Sequence, residues 1–195
     1  MRLILIRHGQ TQSNVDRVLD TGYPGAPLTE QGLAQAEALV ERLAAEPIQA
    51  VYASDLVRAQ QTAAPLAAHR GLPVLVRTGL REIFAGADDM SPDWMPYVAV
   101  LDSWADNPDS CLPGGENATS FFDRFDAAVA EIEASGVDCA ALVSHGAAMR
   151  VWVTVRSDNV EPGAARTWPL ENTDVVVVQR TSAGWDLLLW GEVRT

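Results

Sequence analysis

Lysine is absent from this chain of 195 residues, and all 14 of its basic side chains are arginine. The absence excludes chemistry that depends on a lysine amine: a Walker-type phosphate site, a Schiff base and a lysine general base. Any anion that the chain binds must therefore be held by arginine, histidine and backbone N–H groups. A net charge of −12 also argues against nucleic acid and against an anionic membrane surface as partners.

Cysteines and long apolar runs are scarce as well. The two cysteines, Cys111 and Cys139, are too few for a disulfide framework, and no disulfide is predicted. The first apolar run, residues 3–6, is far shorter than the roughly 20 residues of a membrane span, and it lacks the flanks of a secretory signal. These features predict a cytoplasmic protein with one domain over residues 1–195.

Apolar runs alternate with helical patterns along the chain. Continuous apolar runs predict buried strands at 3–6, 48–53, 72–76 and 139–144. Helical spacing follows Thr29 and follows a cap at Ser54 or Asp55, and it returns at 119–134 and 147–155. Residues 175–179 and 185–190 predict a closing antiparallel pair. The pattern predicts an α/β fold: a three-layer α/β/α sandwich with a mostly parallel central sheet.

Residues 84–117 differ from the rest of the chain, because Gly, Pro, Asp and Trp are crowded there. The segment predicts one helix, from Asp93 to Trp104. We interpret it as a helical lid insert over the functional site. Four tryptophans near the C-terminal sheet are compatible either with the core or with a homodimer interface: Trp152, Trp168, Trp185 and Trp190.

Two of the three histidines share one local pattern. His8-Gly9 follows the apolar run 3–6, and His145-Gly146 follows the run 141–143. Ligands of open α/β sheets bind where strands end, and histidine can act as a base or a nucleophile near pH 7. We therefore expect His8 and His145 to face each other across one pocket.

Further polar side chains are predicted at strand ends and helix starts: Arg7, Asn14, Arg58 and Glu82. Two arginines, two histidines, an amide and a carboxylate suit a phosphoryl group, because arginine forks match phosphate oxygens and helix N-termini add N–H donors. A histidine whose Nδ1–H bonds a backbone carbonyl presents Nε2 as a nucleophile. Glu82 is then the candidate that protonates the leaving oxygen and later activates water.

Three of these residues have structural alternatives. Asn14 could cap a short helix. Arg58 could pair with Asp55 on its own helix. Glu82 could simply form a salt bridge with Arg81.

Six motifs follow one another along the chain: Arg7-His8-Gly9-Gln10-Thr11 with Asn14, Pro27 to Gly32, Ser54 to Ala63, Leu80 to Ile83, Pro113 to Glu116, and Ser144-His145-Gly146. In this order they resemble the histidine phosphatase superfamily, in its phosphoglycerate-mutase-like branch 1. The resemblance covers nearly the whole chain.

The resemblance implies that His8 is the phosphorylated nucleophile and that Glu82 is the proton donor and then the base. It implies that three side chains bind the phosphoryl oxygens and stabilise the transition state: Arg7, Arg58 and His145. Further substrate contacts are expected from Gln10, Thr11, Asn14 and Gly146. No metal and no organic cofactor are implied.

The function that follows is hydrolysis of a small phosphomonoester. Hydrolysis is favoured over a mutase reaction because the interval between Glu82 and His145 is short for a mutase. A mutase and a catalytically inactive relative that binds a phosphorylated ligand stay open as alternatives.

Two segments depart from the family's usual sequence. Many members have Phe-Gly and then Trp-Glu-Gly after the glutamate, where this chain has Phe84-Ala85-Gly86 and then Ala87 to Met90. Many relatives have Gln-Gly near position 20, where this chain has Leu19 to Gly22. We expect both segments near the mouth of the site, where they would affect the choice of substrate.

Overall fold

The computed structural model describes residues 1–161, 163 and 168–191. The strands are β1 (Arg2–Arg7), β2 (Ala50–Ala53), β3 (Val74–Val76), β4 (Cys139–Ser144), β5 (Val175–Arg180) and β6 (Trp185–Gly191). The helices are α1 (Gln12–Asp16), α2 (Glu30–Arg42), α3 (Val57–His69), α4 (Met95–Ser103), α5 (Ala118–Ala134) and α6 (Gly146–Arg156), with 3₁₀ turns at Thr78–Leu80 and Gly86–Asp88. Within these residues no helix is long and apolar enough to cross a membrane.

The six strands form one mixed sheet in the order β3-β2-β4-β1-β5-β6. β1, β2, β3 and β4 are parallel to one another, whereas β5 is antiparallel to both β1 and β6. The mostly parallel sheet and the closing antiparallel pair that the sequence predicts are therefore confirmed. β1 lies inside the sheet, between β4 and β5.

Helices cover both faces of the sheet. Successive side chains of each strand point to opposite faces and pack against the helices on each side. Leu5 of β1 packs in one apolar cluster with Phe125 of α5 and Trp152 of α6. Ile6, the next residue, packs in the other cluster with Leu39 of α2. Strands covered on both faces have continuous apolar runs, and the three-layer sandwich follows from the two clusters.

The predicted helix starts are only partly correct. Thr29 caps α2, and its hydroxyl accepts a hydrogen bond from Gly32 N at 3.0 Å. The cap predicted for α3 at Ser54 or Asp55 is wrong: the N-cap residue is Leu56, which makes no side-chain cap bond. The Ser54 hydroxyl instead accepts from Leu56 N at 3.3 Å, so it holds the turn that precedes the helix.

The segment 84–117 contains α4 and packs against the α5 side of the molecule. Tyr97 and Trp104 are buried in the same apolar cluster as Phe121. The Tyr97 hydroxyl donates to Ile83 O at 2.8 Å, immediately after Glu82 in the chain. These aromatic side chains therefore anchor the segment to the body of the protein.

The four C-terminal tryptophans occupy two environments. Trp152 and Trp185 are buried in the core, where their rings meet edge to face at 5.8 Å between centroids. Trp168 and Trp190 are half-buried and form a second edge-to-face pair at 5.4 Å. The core interpretation is correct for the first pair.

Candidate active site

Two histidines meet at the carboxyl edge of the sheet. β1 and β4 are neighbouring parallel strands, and their register pairs Arg7 with Ser144. The next residue of each chain segment is a histidine, so His8 and His145 leave the sheet side by side. Their ring centroids are 5.2 Å apart and both side chains are buried. The arrangement agrees with the shared sequence pattern.

The His8 ring is held in one tautomer by the backbone. Its Nδ1 lies 2.7 Å from Gly9 O. Because a carbonyl oxygen only accepts hydrogen bonds, Nδ1 carries the proton and Nε2 presents a lone pair. Gly9 N donates to the buried Thr62 hydroxyl at 2.9 Å, and His8 N donates to Ser144 O at 3.0 Å. The loop after β1 is thus fixed by both α3 and β4.

The surroundings of the two histidines favour uncharged rings. Burial lowers the pKa of His8 well below its usual range, and the charges of Arg58 and Arg7 lower this pKa further. Burial, followed by the charges of Arg58 and His8, does the same to the pKa of His145. A neutral His8 at physiological pH has the lone pair that a nucleophile needs.

At this site, three buried nitrogen atoms have no hydrogen-bond partner among the described residues: Arg7 Nε and both ring nitrogens of His145. A buried polar group without a partner costs about 1–3 kcal/mol. Gly146 lies beside the first of them, since a Cβ at this position would be 3.4 Å from Arg7 Nε. A second nitrogen of the same guanidinium, Nη1, donates to Leu170 O and orients the Arg7 side chain. An anion bound at the sheet edge would accept hydrogen bonds from Arg7 Nε and from the His145 ring nitrogen that carries the proton.

Arg58 is a fully buried cation on the first turn of α3. Its Nη1 lies 3.3 Å from Asp20 Oδ1, and its Nη2 donates to the Asp20 carbonyl oxygen at 2.6 Å. The alternative pairing with Asp55 is wrong, because Asp55 binds Arg81 through both carboxylate oxygens. Gly25, with φ +74°, is required here, since a Cβ would lie 2.2 Å from Arg58 Nη1.

Asn14 belongs to a capping box at the start of α1. Thr11 Oγ1 accepts from Asn14 N at 3.3 Å, and Asn14 Oδ1 accepts from Thr11 N at 3.1 Å. Asn172 donates to the same Asn14 oxygen at 3.1 Å and to His8 O at 3.0 Å. The capping alternative for Asn14 is therefore present in the structure. Gln10 accepts from the Thr29 hydroxyl at 2.9 Å, so its side chain secures the start of α2.

The Glu82 carboxylate caps α6 from a distant part of the chain. Oε1 accepts from Ile83 N at 2.9 Å and from Ala148 N at 2.7 Å, while Oε2 accepts from Ala147 N at 3.0 Å. The N-cap residue of α6 is His145 itself, which makes no side-chain cap bond. The carboxylate is thereby placed beside His145. The alternative salt bridge to Arg81 is wrong, because Arg81 binds Asp55.

Arg124 on α5 fixes the backbone of Glu82, a contact that the sequence does not reveal. Its Nη2 donates to Glu82 O at 2.9 Å and to Glu116 Oε2 at 2.7 Å. The same Glu116 oxygen accepts from Phe84 N at 2.9 Å. An ion pair thus braces the backbone on both sides of Ile83.

A cleft of about 630 Å³ opens beside Glu82. Two aromatic side chains on its wall are accessible, with 67% of Tyr23 and 38% of Phe84 exposed. The Arg81 guanidinium lies 5.1 Å from the centre of the Tyr23 ring and supports that ring on one face. Thr21 and Gly22 also line the cleft, so both departing segments lie at the mouth of the site, as expected. In the described part of the chain, no three His, Cys, Asp or Glu side chains are grouped as metal ligands.

Comparison with known proteins gives the class to which this fold and site belong. The model of the histidine phosphatase superfamily (branch 1) matches residues 3–193. The chain belongs to the histidine phosphatase superfamily.

Individual relatives agree with this membership. The chain is 34% identical to the PE-PGRS family protein PE_PGRS11 of Mycobacterium tuberculosis, over 95% of this chain and 35% of that protein. It is 36% identical to the adenosylcobalamin/alpha-ribazole phosphatase of Escherichia coli, over 68% of this chain and 66% of that protein. The chain thus spans about a third of the first relative and just under two thirds of the second.

The fold agrees with a solved structure over nearly the whole chain. The mycobacterial glucosyl-3-phosphoglycerate phosphatase in complex with VO3 superposes with a TM-score of 0.83 at 26% identity. The match covers 98% of each chain.

Proposed function

We propose that this chain is a phosphatase that hydrolyses a small phosphomonoester through a phosphohistidine at His8, with neither metal nor organic cofactor. The observation that carries the proposal is the buried His8 ring, which is held by the hydrogen bond from Nδ1 to Gly9 O and lies beside the buried ring of His145. The names of two similar proteins, the alpha-ribazole phosphatase and the glucosyl-3-phosphoglycerate phosphatase, support the same reaction class. We place the enzyme in the cytoplasm, as the sequence predicts.

In the first step, His8 Nε2 attacks the phosphorus atom in line with the ester oxygen. A P–N bond forms and the P–O bond to the leaving alcohol breaks. Catalysis of phosphoryl transfer depends mainly on position and on stabilisation of charge on the equatorial oxygens. Arg7, Arg58 and His145 supply this stabilisation, and the N–H groups without partners at Arg7 and His145 are its donors. We expect further substrate contacts from the loop after β1 and from the starts of α1 and α6, through Gln10, Thr11, Asn14 and Gly146.

Glu82 transfers the protons. Each carboxylate oxygen can accept about two hydrogen bonds; Oε1 already accepts two, whereas Oε2 accepts one. Oε2 is therefore the oxygen that carries the proton for the leaving alcohol. In the second step the carboxylate removes a proton from water, the resulting hydroxide attacks phosphorus, and the P–N bond breaks. Inorganic phosphate is released, and neutral His8 and protonated Glu82 are regenerated.

The cleft beside Glu82 holds the leaving group. Tyr23 and Phe84 offer apolar ring surface, which favours a leaving group with a planar or apolar part. Residues 84–117 act as the lid, because Phe84 and Glu116 belong both to this segment and to the cleft wall.

The test is a panel of phosphomonoesters, assayed with a chelator present, combined with rapid quenching and mass spectrometry of the peptide that contains residue 8. We expect turnover in chelator and one phosphoryl group on His8. If no ester of the panel is hydrolysed and the protein interconverts 2- and 3-phosphoglycerate, the reaction is that of a mutase and not of a phosphatase. If neither turnover nor a phosphoenzyme is detected, the protein is a catalytically inactive member of the family that binds a phosphorylated ligand.

The variant Tyr23→Ala tests the leaving-group cleft. We expect kcat/KM for 1-naphthyl phosphate to fall by about two- to tenfold, because an aromatic contact contributes about 0.5–1.5 kcal/mol. The value for glycerol phosphate, which has no ring, should not change. Tyr23→Phe keeps the ring and serves as the matched control. Equal losses on both esters would contradict a role in leaving-group binding.

A further inference from the structure

The carboxylate of Asp20 forms an ion pair with Arg58, one of the arginines proposed to bind the phosphoryl group. Asp20 Oδ1 lies 3.3 Å from Arg58 Nη1, and side-chain exposure is 2% for Arg58 and 9% for Asp20. The Asp20 carbonyl oxygen accepts from Arg58 Nη2 at 2.6 Å. A guanidinium has five N–H donors, so Asp20 occupies one edge and leaves other N–H groups for a phosphoryl oxygen. None of the proposed catalytic steps uses this carboxylate.

The environment of Asp20 is built for a negative charge. Oδ2 accepts from the Ser13 hydroxyl at 2.8 Å and from Ala26 N at 2.9 Å, while Oδ1 faces Arg58. Two of these three neighbours, the guanidinium and the backbone N–H, can only donate. An amide side chain would turn its NH₂ group towards one of them and lose that hydrogen bond. The position is thus matched to a carboxylate.

The two segments that depart from the family's usual sequence hold Asp20 in place together. Asp89 Oδ1 accepts from Thr21 N at 2.8 Å, from the Thr21 hydroxyl at 2.7 Å and from Gly22 N at 3.2 Å. Leu19 is paired with the same segment, since its N donates to Ser91 O at 2.9 Å. Residues 19–22 and 89–91 therefore form one unit, and this unit sets Asp20 against Arg58.

A fixed negative charge beside Arg58 opposes the binding of any phosphate dianion. In a site of low polarity, like charges within several ångströms repel each other strongly. Substrate and product both carry the phosphoryl group, but the free product has no leaving group in the cleft to add binding energy. We propose that the charge of Asp20 lowers the affinity of the site for inorganic phosphate, so that the product is released. The inference rests on the proposed phosphatase function.

The experiment measures competitive inhibition by inorganic phosphate, at a pH where phosphate is mainly a dianion, in the wild type and in Asp20→Asn. Loss of the charge is expected to lower Ki by about tenfold and to lower KM for the ester in the same direction. Damage to the site would instead raise Ki, so the sign of the change separates the two causes. Asp20→Ser is the second variant, in case the amide of Asp20→Asn disturbs the fold, because the serine side chain is smaller than that of aspartate. It should also lower Ki for inorganic phosphate.

Asp88→Asn is the matched control. It removes one negative charge from the neighbouring 3₁₀ turn, Gly86–Asp88, and should leave Ki unchanged. A Ki that is equal or higher in the folded Asp20 variants would overturn the inference while the phosphatase function stands. A wild type that turns over no ester would overturn the proposed function itself.

Discussion

Replacing His8 with alanine is expected to reduce kcat/KM for phosphomonoesters by on the order of 10⁴-fold or more, because the nucleophile of a covalent mechanism is removed. No other described imidazole is held in the same way: His145 lies 5.2 Å from His8 between ring centroids, and its Nδ1 makes no bond to a carbonyl. The measurement is steady-state turnover together with rapid-quench detection of the phosphoenzyme. Both should be lost.

His69→Ala is the control for this experiment. His69 is the third histidine of the chain and is exposed at the end of α3. Its removal should leave turnover unchanged. A His8→Ala protein that keeps wild-type turnover would rule out the phosphohistidine mechanism, even if the protein proved to be a phosphatase.

Replacing Glu82 with glutamine is expected to have an effect that depends on the leaving group. For an alkyl phosphate, kcat/KM should fall by about 10²–10⁴-fold, because the alkoxide must be protonated as it leaves. For p-nitrophenyl phosphate the loss in kcat/KM should be much smaller, since nitrophenolate leaves without a proton. The same ester should then show a burst of one nitrophenolate per site, because water is no longer activated for the second step.

Glu131→Gln is the matched control for the glutamate. Glu131 lies on the wall of the same cleft, pairs with Arg77 at 3.0 Å and has a side chain that is 64% exposed. This variant should retain wild-type kinetics on both esters. Equal losses on the alkyl and nitrophenyl esters in Glu82→Gln would show that Glu82 positions other groups and does not transfer the proton.

Much of the site could be predicted because its residues follow local patterns. β1 and β4 are covered by helices on both faces, so their side chains form continuous apolar runs that are visible in the sequence. His8 and His145 directly follow these runs. Parallel strands end at the same edge of a sheet, and the two histidines therefore had to be close if β1 and β4 were neighbours. The membership of the family, inferred from six ordered motifs, is confirmed.

The remainder depends on contacts between residues that are distant in the sequence. Asp20 lies in the loop between α1 and α2, and nothing near it in the sequence indicates that Arg58 is its partner. Arg124 lies at a position of α5 that predicts a surface charge, yet its guanidinium binds the carbonyl oxygen of Glu82. Asn172 reaches His8 and Asn14 from the loop before β5. Such pairings depend on strand order and helix packing, which periodicity does not specify.

The position of β1 inside the sheet has a consequence for biosynthesis. Its two neighbours, β4 (Cys139–Ser144) and β5 (Val175–Arg180), are both formed by the last third of the chain. During translation the apolar strand 2–7 is made before β4 and β5, and it stays without both partners until residue 180 has been added. Pairings of such large sequence separation are slow to form and leave unpaired strand edges exposed meanwhile. We therefore expect the nascent chain to depend on protection from aggregation, and fragments that end before β5 to be unable to complete the fold.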